Sequence, residues 1–514
     1  MYVIAYDIGT TGLKTGLYHI ARGDKIKLIA SEKGSYDLYM LDNGGVEQDP
    51  NQWWSAMVTS TKKLLESNDI NSNDVKGISF CAQMQAVVLV DKDGEPVRNA
   101  MSYMDNRAQE QIDKVLHRGV QVAGMNANIL LTSLKLTGAV SASVKDPVWR
   151  YRWVADNEPK VYSRVYKWLD AKDYLALKAT GKFTMSEDSA FGTLLYDTRP
   201  GQRKFSDKLC NMLNVDINHL PNIIRSTDMV GGLTAKAANE LGLEIGTPVF
   251  SGGGDASLIG VGAGAVDVGD THVYVGTSGW VGTVISKQKL DVGTMIASIV
   301  GVNPESYNCF AELDTAGKCF EWARHNIYDN KLSYEEIGEK IAKVPAGSNG
   351  IIFTPWLHGN RCPFEDPNAR SMFFGLGIES TREDMYRSVV EGVCLHLRWQ
   401  MESMNKLIQA SDTIRFAGGG ARTDAIAQIL SDVLGKRVEV IANPQDAGAA
   451  GAAAIMAVGL GEIDSIYDIK SMIHVTRTFT PNTAARAVYD KVFTVFQDLY
   501  KNNKKNFLRT GGLR

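Results

Sequence analysis

The stretch Tyr2-Val-Ile-Ala-Tyr-Asp-Ile-Gly-Thr-Thr-Gly-Leu-Lys-Thr-Gly-Leu-Tyr-His19 decides the fold class. Two β-rich runs, Tyr2–Tyr6 and Lys14–His19, flank a break at Gly9–Gly12, and a third run, Ile26–Ser31, follows a break at Arg22–Asp24. Short apolar runs punctuated by glycine predict a meander of strands. The same grammar returns past the middle of the chain. Thr271–Val275 and Val281–Ile285 flank Gly276-Thr-Ser-Gly279 as the first two strands flank Gly9-Thr-Thr-Gly12. Matching turns in matching contexts predict an internal duplication, each half folding around the same kind of sheet.

Helical signals alternate with these strands. Asp49 suits an N-cap, Pro50 the first helical position, and Trp54, Met57, Val58 and Leu65 form an apolar stripe behind them. Strands are expected at Gly77–Cys81 and Ala86–Asp91. Thr381 with Asp384 predicts a capped helix carrying Met385, Val389, Val393 and Leu397 at i+4 spacing. Strand Ile414–Ala417, a helix stopped by Gly435, strand Val438–Ile441 and an Ala/Gly helix from Asp446 to Val458 complete an α/β alternation.

The 514 residues are too many for one compact core, so at least two domains are expected. A net charge of -3 gives no broad attraction to nucleic acid or anionic membrane. Mean hydropathy is -0.15, and no apolar stretch approaches the roughly 20 residues that span a bilayer. The N-terminus enters a strand at once, without the marks of a signal peptide. Six scattered cysteines with no CxxC pair read as buried apolar side chains in a reducing compartment. These features point to a cytoplasmic protein.

Three segments can carry chemistry. In Asp7-Ile-Gly-Thr-Thr-Gly-Leu-Lys14 a carboxylate at a strand end suits Mg²⁺ held through water. Its glycines let backbone amides approach phosphate, Thr10 and Thr11 add hydroxyls, and Lys14 adds charge. Taken alone, the segment is equally a tight hairpin with a surface lysine. In Gly252-Gly-Gly-Asp255 a glycine run opens space beside one carboxylate, as a general base requires; an Asx-type turn explains it as well. Gly418-Gly-Gly-Ala-Arg422, between a strand and a helix, suits close approach to a nucleotide. Asp446-Ala-Gly-Ala-Ala-Gly451 suits either a flat base or another helix. Gly260-Val-Gly-Ala-Gly264 lacks dinucleotide spacing, and the eight histidines are too dispersed for zinc or a Ser-His-Asp site.

In this order, the segments resemble the FGGY family of carbohydrate kinases over essentially the whole chain. Asp7 to Lys14 is similar to the family's DxGTxxxK/R element. Gly45-Val-Glu-Gln-Asp-Pro50 with Trp53-Trp54, Phe353-Thr-Pro-Trp-Leu-His-Gly359 with Arg361 and Pro363, and Ser371 through Glu391 resemble three further signatures. Gly418 to Arg422 matches the GGGAR element. Ala82-Gln-Met84 with Asp105 and Arg107 resembles the sugar-binding segments of family members that act on ketopentoses such as xylulose. Those kinases carry histidine where this chain has Gln85 and asparagine where it has Ala256, and Arg150-Tyr-Arg-Trp153 stands where Lys-x-x-Trp is usual.

The resemblance implies two actin-like, ribonuclease H-like α/β domains with a ligand cleft between them, a sugar-binding domain at 1–246 and a nucleotide-binding domain at 247–514. It implies ATP-dependent phosphorylation of a sugar hydroxyl, with ATP and Mg²⁺ as cofactors and Asp255 as catalytic base. Asp7 would serve the metal. Thr10, Thr11, Lys14 and Thr277 would line the phosphates, and Gly317, Gly419, Gly420 and Asp424 would border the rest of the nucleotide. Gln83, Met84, Gln85, Asp105 and Arg107 would contact sugar. A homodimer stays open, as do another ketose or a polyol as substrate. Rival readings are an actin- or chaperone-like ATPase, disfavoured by the sugar loop, and a catalytically silent sugar sensor.

Overall fold

The computed structural model describes residues 1–291, 293–303 and 305–511. They form two compact units. The first comprises Met1–Gly262, Ile299–Tyr307 and Gly448–Met472; the second comprises Ala263–Ser298, Asn308–Ala447 and Ile473–Arg514. The chain therefore leaves the first unit at Gly262 rather than at residue 246. The reason is strand pairing: Val249 pairs with Ile78, and Gly253 and Gly254 pair with Cys81 and Ala82.

In the first unit, β1 (Tyr2–Ile8), β2 (Gly12–His19) and β3 (Lys27–Ser35) form the expected antiparallel meander. Helix α1 (Pro50–Ser67) follows, with Asp49 accepting the Asn51 amide at 2.9 Å and Pro50 in its first turn. Its buried face carries Trp53, Met57 and Leu64. Burying each such side chain contributes about 2 kcal/mol. Two buried hydroxyl pairs pin this helix to the sheet, Tyr6 to Thr61 at 2.8 Å and Thr15 to Ser60 at 2.7 Å. Strand β4 (Val75–Ala82) then pairs parallel to β1. Helix α2 (Ala171–Thr180), β5 (Met229–Gly232), β6 (Pro248–Phe250), β7 (Gly253–Gly254) and α3 (Asp255–Gly262) complete the described frame. The sheet order is β5-β6-β4-β1-β2-β3, with β7 beside β4. A separate apolar cluster around Trp149, Tyr151, Trp168 and Leu209 supports the segments inserted after β4.

The second unit repeats this plan. Strands β8 (Thr271–Val275) and β9 (Gly279–Ile285) form an antiparallel hairpin, with β10 (Tyr307–Leu313) beyond β9. Helix α4 (Arg382–Met404) starts with a complete Thr381–Asp384 capping box. It is buried on nearly every side from Tyr386 to Leu397, as a helix surrounded by protein must be. Strand β11 (Thr413–Ala417) pairs parallel to β8. Helix α5 (Asp424–Leu434) ends at Gly435 with φ of 65°, and β12 (Arg437–Ile441) and β13 (Val475–Phe479) close the edge. Hairpin, parallel neighbour, second parallel neighbour and antiparallel edge recur in the same order in both sheets. The duplication expected from the two Gly-Thr turns is thus present in the topology.

All six cysteines are buried and free. Among the described residues no helix is long and apolar enough to cross a membrane.

Candidate active site

Register places the first carboxylate. Asp7 pairs with Lys14 across the hairpin and with Cys81 on β4. Beyond Ile8 the turn closes by a Gly9 amide to Gly12 carbonyl bond of 2.9 Å. The Tyr36 hydroxyl donates to both turn carbonyls, Gly9 at 2.5 Å and Gly12 at 2.9 Å. A Cβ at Gly12 would lie 2.9 Å from the Gly34 carbonyl oxygen, so the adjacent strand dictates glycine there. Lys14 Nζ stands 3.8 Å from Asp7 Oδ2. Thr10 Oγ1 lies 3.2 Å from the Tyr103 hydroxyl, and Thr11 is exposed.

The second carboxylate reaches the same strand ends. Gly253 sits opposite Cys81 on β4, as Asp7 does from the other side, and Asp255 follows two residues later as the first residue of α3. The three preceding glycines have separate causes. Gly252 has φ of 69° and a Cβ there would be 2.0 Å from the Phe80 carbonyl; at Gly253 it would meet Asp188, and at Gly254 the Met84 side chain at 2.3 Å. Cys81 lies within the field of both carboxylates. Burial raises its thiol pKa well above the ordinary value, and Asp7 and Asp255 raise it further. Asp255 Oδ1 also accepts the Ala256 amide at 2.8 Å, the Asx-type bond that the turn reading anticipates.

Around these carboxylates lies the Gln83–Gln85 loop. The Gln83 amide continues the ladder to the Ile8 carbonyl, and its side chain donates to Gln48 Oε1, each at 2.8 Å. Gln48 in turn donates to the Thr10 carbonyl at 2.7 Å, joining this loop to the Gly-Thr turn. Gln85 has a left-handed backbone, φ 65°, and its side-chain amide donates to the Gly192 carbonyl at 3.2 Å. Buried Arg150 donates to the Gln85 carbonyl at 2.6 Å and to those of Met101 and Ser102. Burial lowers its pKa to about 10 against the opposing pull of Asp105, Asp146 and Asp170. Asp105 and Arg107 meet one another at 2.7 Å and are covered. Asp105 also accepts the Val46 amide, and the Arg107 guanidinium stacks 4.4 Å above the Trp153 ring and pairs with Glu47.

In the second unit glycines gather at the end of β8. The Gly317 amide donates to the Gly276 carbonyl at 2.8 Å, and a Cβ at Gly317 would stand 2.2 Å from that oxygen. The Thr277 carbonyl accepts from the Ala316 and Lys318 amides. Gly418, at φ 93°, passes so near the Val275 carbonyl that a Cβ would lie 2.4 Å away, and one at Gly420 would strike the Val275 side chain at 2.7 Å. Gly419 faces open space. Asp424 opens α5 and is ion-paired with Arg477, which also donates to the Ala421 carbonyl at 2.7 Å.

Two glycines of the Ala447–Gly459 helix make close approaches. A Cβ at Gly448 would lie 3.0 Å from the Asp7 carboxylate, and one at Gly451 would lie 2.2 Å from the Leu258 carbonyl. These glycines serve packing against the first site and against α3.

Comparisons with known proteins bear on this geometry. The N-terminal-domain profile of the FGGY family of carbohydrate kinases matches residues 2–262, and the C-terminal-domain profile matches residues 272–460. The chain belongs to this family. It is a sugar kinase, with ATP as phosphoryl donor, built on two actin-like domains. A xylulose kinase of Staphylococcus epidermidis is 29% identical over 505 residues, covering 98% of this chain and 97% of that relative. A gluconokinase of Bacillus subtilis is 23% identical over 508 residues, covering 97% and 95%. A ligand-bound xylulose kinase structure from Lactobacillus acidophilus superposes with a TM-score of 0.86 at 24% identity, over 99% of each chain.

For this kinase, sequence reasoning missed the residues that hold the loops. Asp170 accepts the Gln85 and Ala86 amides, and Asp188 accepts the Gly254 amide at 2.7 Å. Both lie far along the chain from what they hold, and only the local signal of a helix cap marks Asp170. Among the described residues there is no cluster of three or more metal-ligating side chains. The Asp7 carboxylate, a hard oxygen donor at a strand end, still suits Mg²⁺, which keeps most of its waters and needs only one or two such ligands.

Proposed function

We propose that this kinase transfers the γ-phosphoryl group of ATP to a terminal hydroxyl of a ketopentose such as xylulose. The observation that carries the reading is the convergence of Asp7 and Asp255 on Cys81 at the same strand ends, beside the Gln83–Gln85 loop. Full-length likeness to xylulose kinases supports the choice of sugar.

Phosphoryl transfer depends mainly on positioning and charge stabilisation. Asp255 accepts the proton of the sugar hydroxyl as its oxygen attacks the γ-phosphorus, and ADP leaves. Asp7 would hold Mg²⁺. Bound there, the ion would supply charge that offsets the negative charge of the phosphate oxygens. Thr10, Thr11, Lys14 and Thr277 donate to the phosphates, while Gly317, Gly419, Gly420 and Asp424 border the nucleotide. Gln83, Met84, Gln85, Asp105 and Arg107 contact the sugar. We place the enzyme in the cytoplasm, and a homodimer stays open.

Gln85 and Ala256, together with the gluconokinase likeness, favour a second reading in which the acceptor is gluconate, another ketose or a polyol. An ADP-release screen across ketopentoses, ketohexoses, aldoses, gluconate and polyols decides between them. Asp255→Asn is expected to lower kcat by roughly 10²–10⁴-fold with ATP binding retained. Sugar phosphorylation near the wild-type rate in that variant refutes the assignment.

A further inference from the structure

Gln85 carries a Cβ yet holds φ of 65°, a backbone region that persists in such residues only where neighbours enforce it. Three groups do so. Arg150 Nη2 donates to its carbonyl at 2.6 Å, its side chain reaches the Gly192 carbonyl, and its amide donates to Asp170 Oδ2 at 2.9 Å. The other Asp170 oxygen accepts two amides at 2.8 Å, those of Ala86 and of Ala171 in the first turn of α2. Asp170 is 4% exposed and stands outside the three motifs that carry the chemistry.

We infer that Asp170 is a positioning residue for sugar binding: its carboxylate fixes the Gln85–Ala86 peptide in the conformation that seats the Met84 side chain against Gly254, next to Asp255, and the Gln85 side chain on the Gly192 carbonyl. The inference rests on the reading of Gln83–Gln85 as the sugar loop. Its logic is a count of acceptors. Three N–H groups converge on one carboxylate, and protonation of Oδ2 turns that oxygen into a donor with weakened acceptor capacity. A proton on Oδ2, or an amide in its place, sets a donor against the Gln85 N–H while leaving the helix cap intact.

The clamp also responds to pH. Burial, then the neighbouring charge of Asp173, pushes the Asp170 pKa up to about 7, against the Ala171 and Gln85 amides and Lys172. Arg150, from the Pro147–Asn157 helix, faces it with the opposite charge. Lys172 and Asp173 are buried partners of each other, and Asp188 raises the Asp173 pKa further. Acidification through pH 7 therefore weakens the hold on Gln85.

The experiment is steady-state kinetics of wild-type and Asp170→Asn enzyme from pH 5.5 to 9, on D-xylulose or on the best acceptor of the screen. The expected result is a sugar KM raised roughly tenfold in the variant, the effect of an unpaired buried N–H, with the KM for ATP unchanged. In wild type the sugar KM climbs as pH falls through about 7, and Asp170→Asn lacks that limb. Asp170→Glu, which keeps both acceptors, recovers part of the affinity. A variant whose sugar KM and pH profile match wild type, with only its melting temperature lowered, overturns the inference. If Asp170→Asn does not fold, amide hydrogen exchange of ligand-free wild-type protein takes its place: protection at Gln85 and Ala86, corrected for intrinsic rates, falls below pH 7 if the inference holds and is flat if it does not. Wild-type enzyme that turns over no sugar defeats instead the reading on which the inference rests.

Discussion

The two sheets of this kinase share a strand order and end their first hairpins differently. In the first unit the residue two before the turn glycine is Asp7; in the second it is Tyr274, stacked on Trp280 at a centroid distance of 4.2 Å. The parallel neighbour of the hairpin leads into Gln83-Met-Gln85 in the first sheet and into Gly418-Gly-Gly420 in the second. On the proposed reading, side chains suited to proton and metal chemistry line one copy, and glycine backbone lines much of the other. The comparison teaches that the scaffold fixes where groups are presented, while the residues at the strand ends decide whether the place reacts or only binds.

The sharpest break of this comparison exchanges nothing but the group at the equivalent position. Asp7→Asn removes the charge proposed to hold the metal, and kcat is expected to fall roughly 100-fold or more, as for loss of one electrostatic contact to a transition state. The Mg²⁺ concentration giving half-maximal rate should rise as well. Tyr274→Phe keeps the ring and should leave kcat within about twofold, since no charge develops at a binding surface. Equal losses in both variants contradict the division of labour.

Acid titration separates the units through stability. His272 and His396 in the second unit accept the indole N–H groups of Trp280 and Trp356, and burial lowers each pKa to about 4. Between pH 6.5 and about 4 the unfolded chain takes up protons that the folded histidines refuse, so their contribution to stability falls as pH falls. Asp170 in the first unit has the opposite sign. Its folded pKa of about 7 exceeds the ordinary 3.8, so the fold holds a proton the unfolded chain lacks, and its contribution grows on acidification through that window. A tenfold difference in proton affinity between folded and unfolded chain corresponds to about 1.4 kcal/mol. Chemical denaturation across pH should show His396→Gln flattening the acid loss and Asp170→Asn flattening the acid gain. Slopes of the same sign for both residues refute the assignment of burial as the cause.

Much of this frame is local in origin and was therefore legible. The meander, the two hairpins, the Asp49 cap and the Thr381–Asp384 box depend on residues within a few positions of each other. Asp7, Asp255 and the glycine triplets carry composition signals of their own. Two features were not legible. The carboxylates holding the loops act over 66 to 85 residues, and nothing near Asp188 or Asp170 marks a distant amide as partner. The discontinuous first unit depends on Gly448 fitting against Asp7 and Cys81, a contact that a run of small residues permits without naming its partner.

Two adjacent glycines make the finest test of backbone as a binding surface. Gly418 has φ of 93°, and a Cβ would lie 2.4 Å from the Val275 carbonyl oxygen; Gly419 has nothing within 4 Å. Gly418→Ala meets both backbone strain and a clash with main chain, which cannot yield as a flexible side chain does. Its cost should be about 1–3 kcal/mol in urea unfolding. Gly419→Ala meets neither, and its stability should stay within about 0.5 kcal/mol of wild type. A methyl group facing open space can then be felt only by what enters that space. The expected outcome for Gly419→Ala is a modest rise in the KM for ATP with the sugar KM unchanged. If ATP affinity is unaltered while Gly418→Ala is destabilised as expected, the glycines that follow β11 exist for strand packing, and the second sheet must recognise the nucleotide elsewhere.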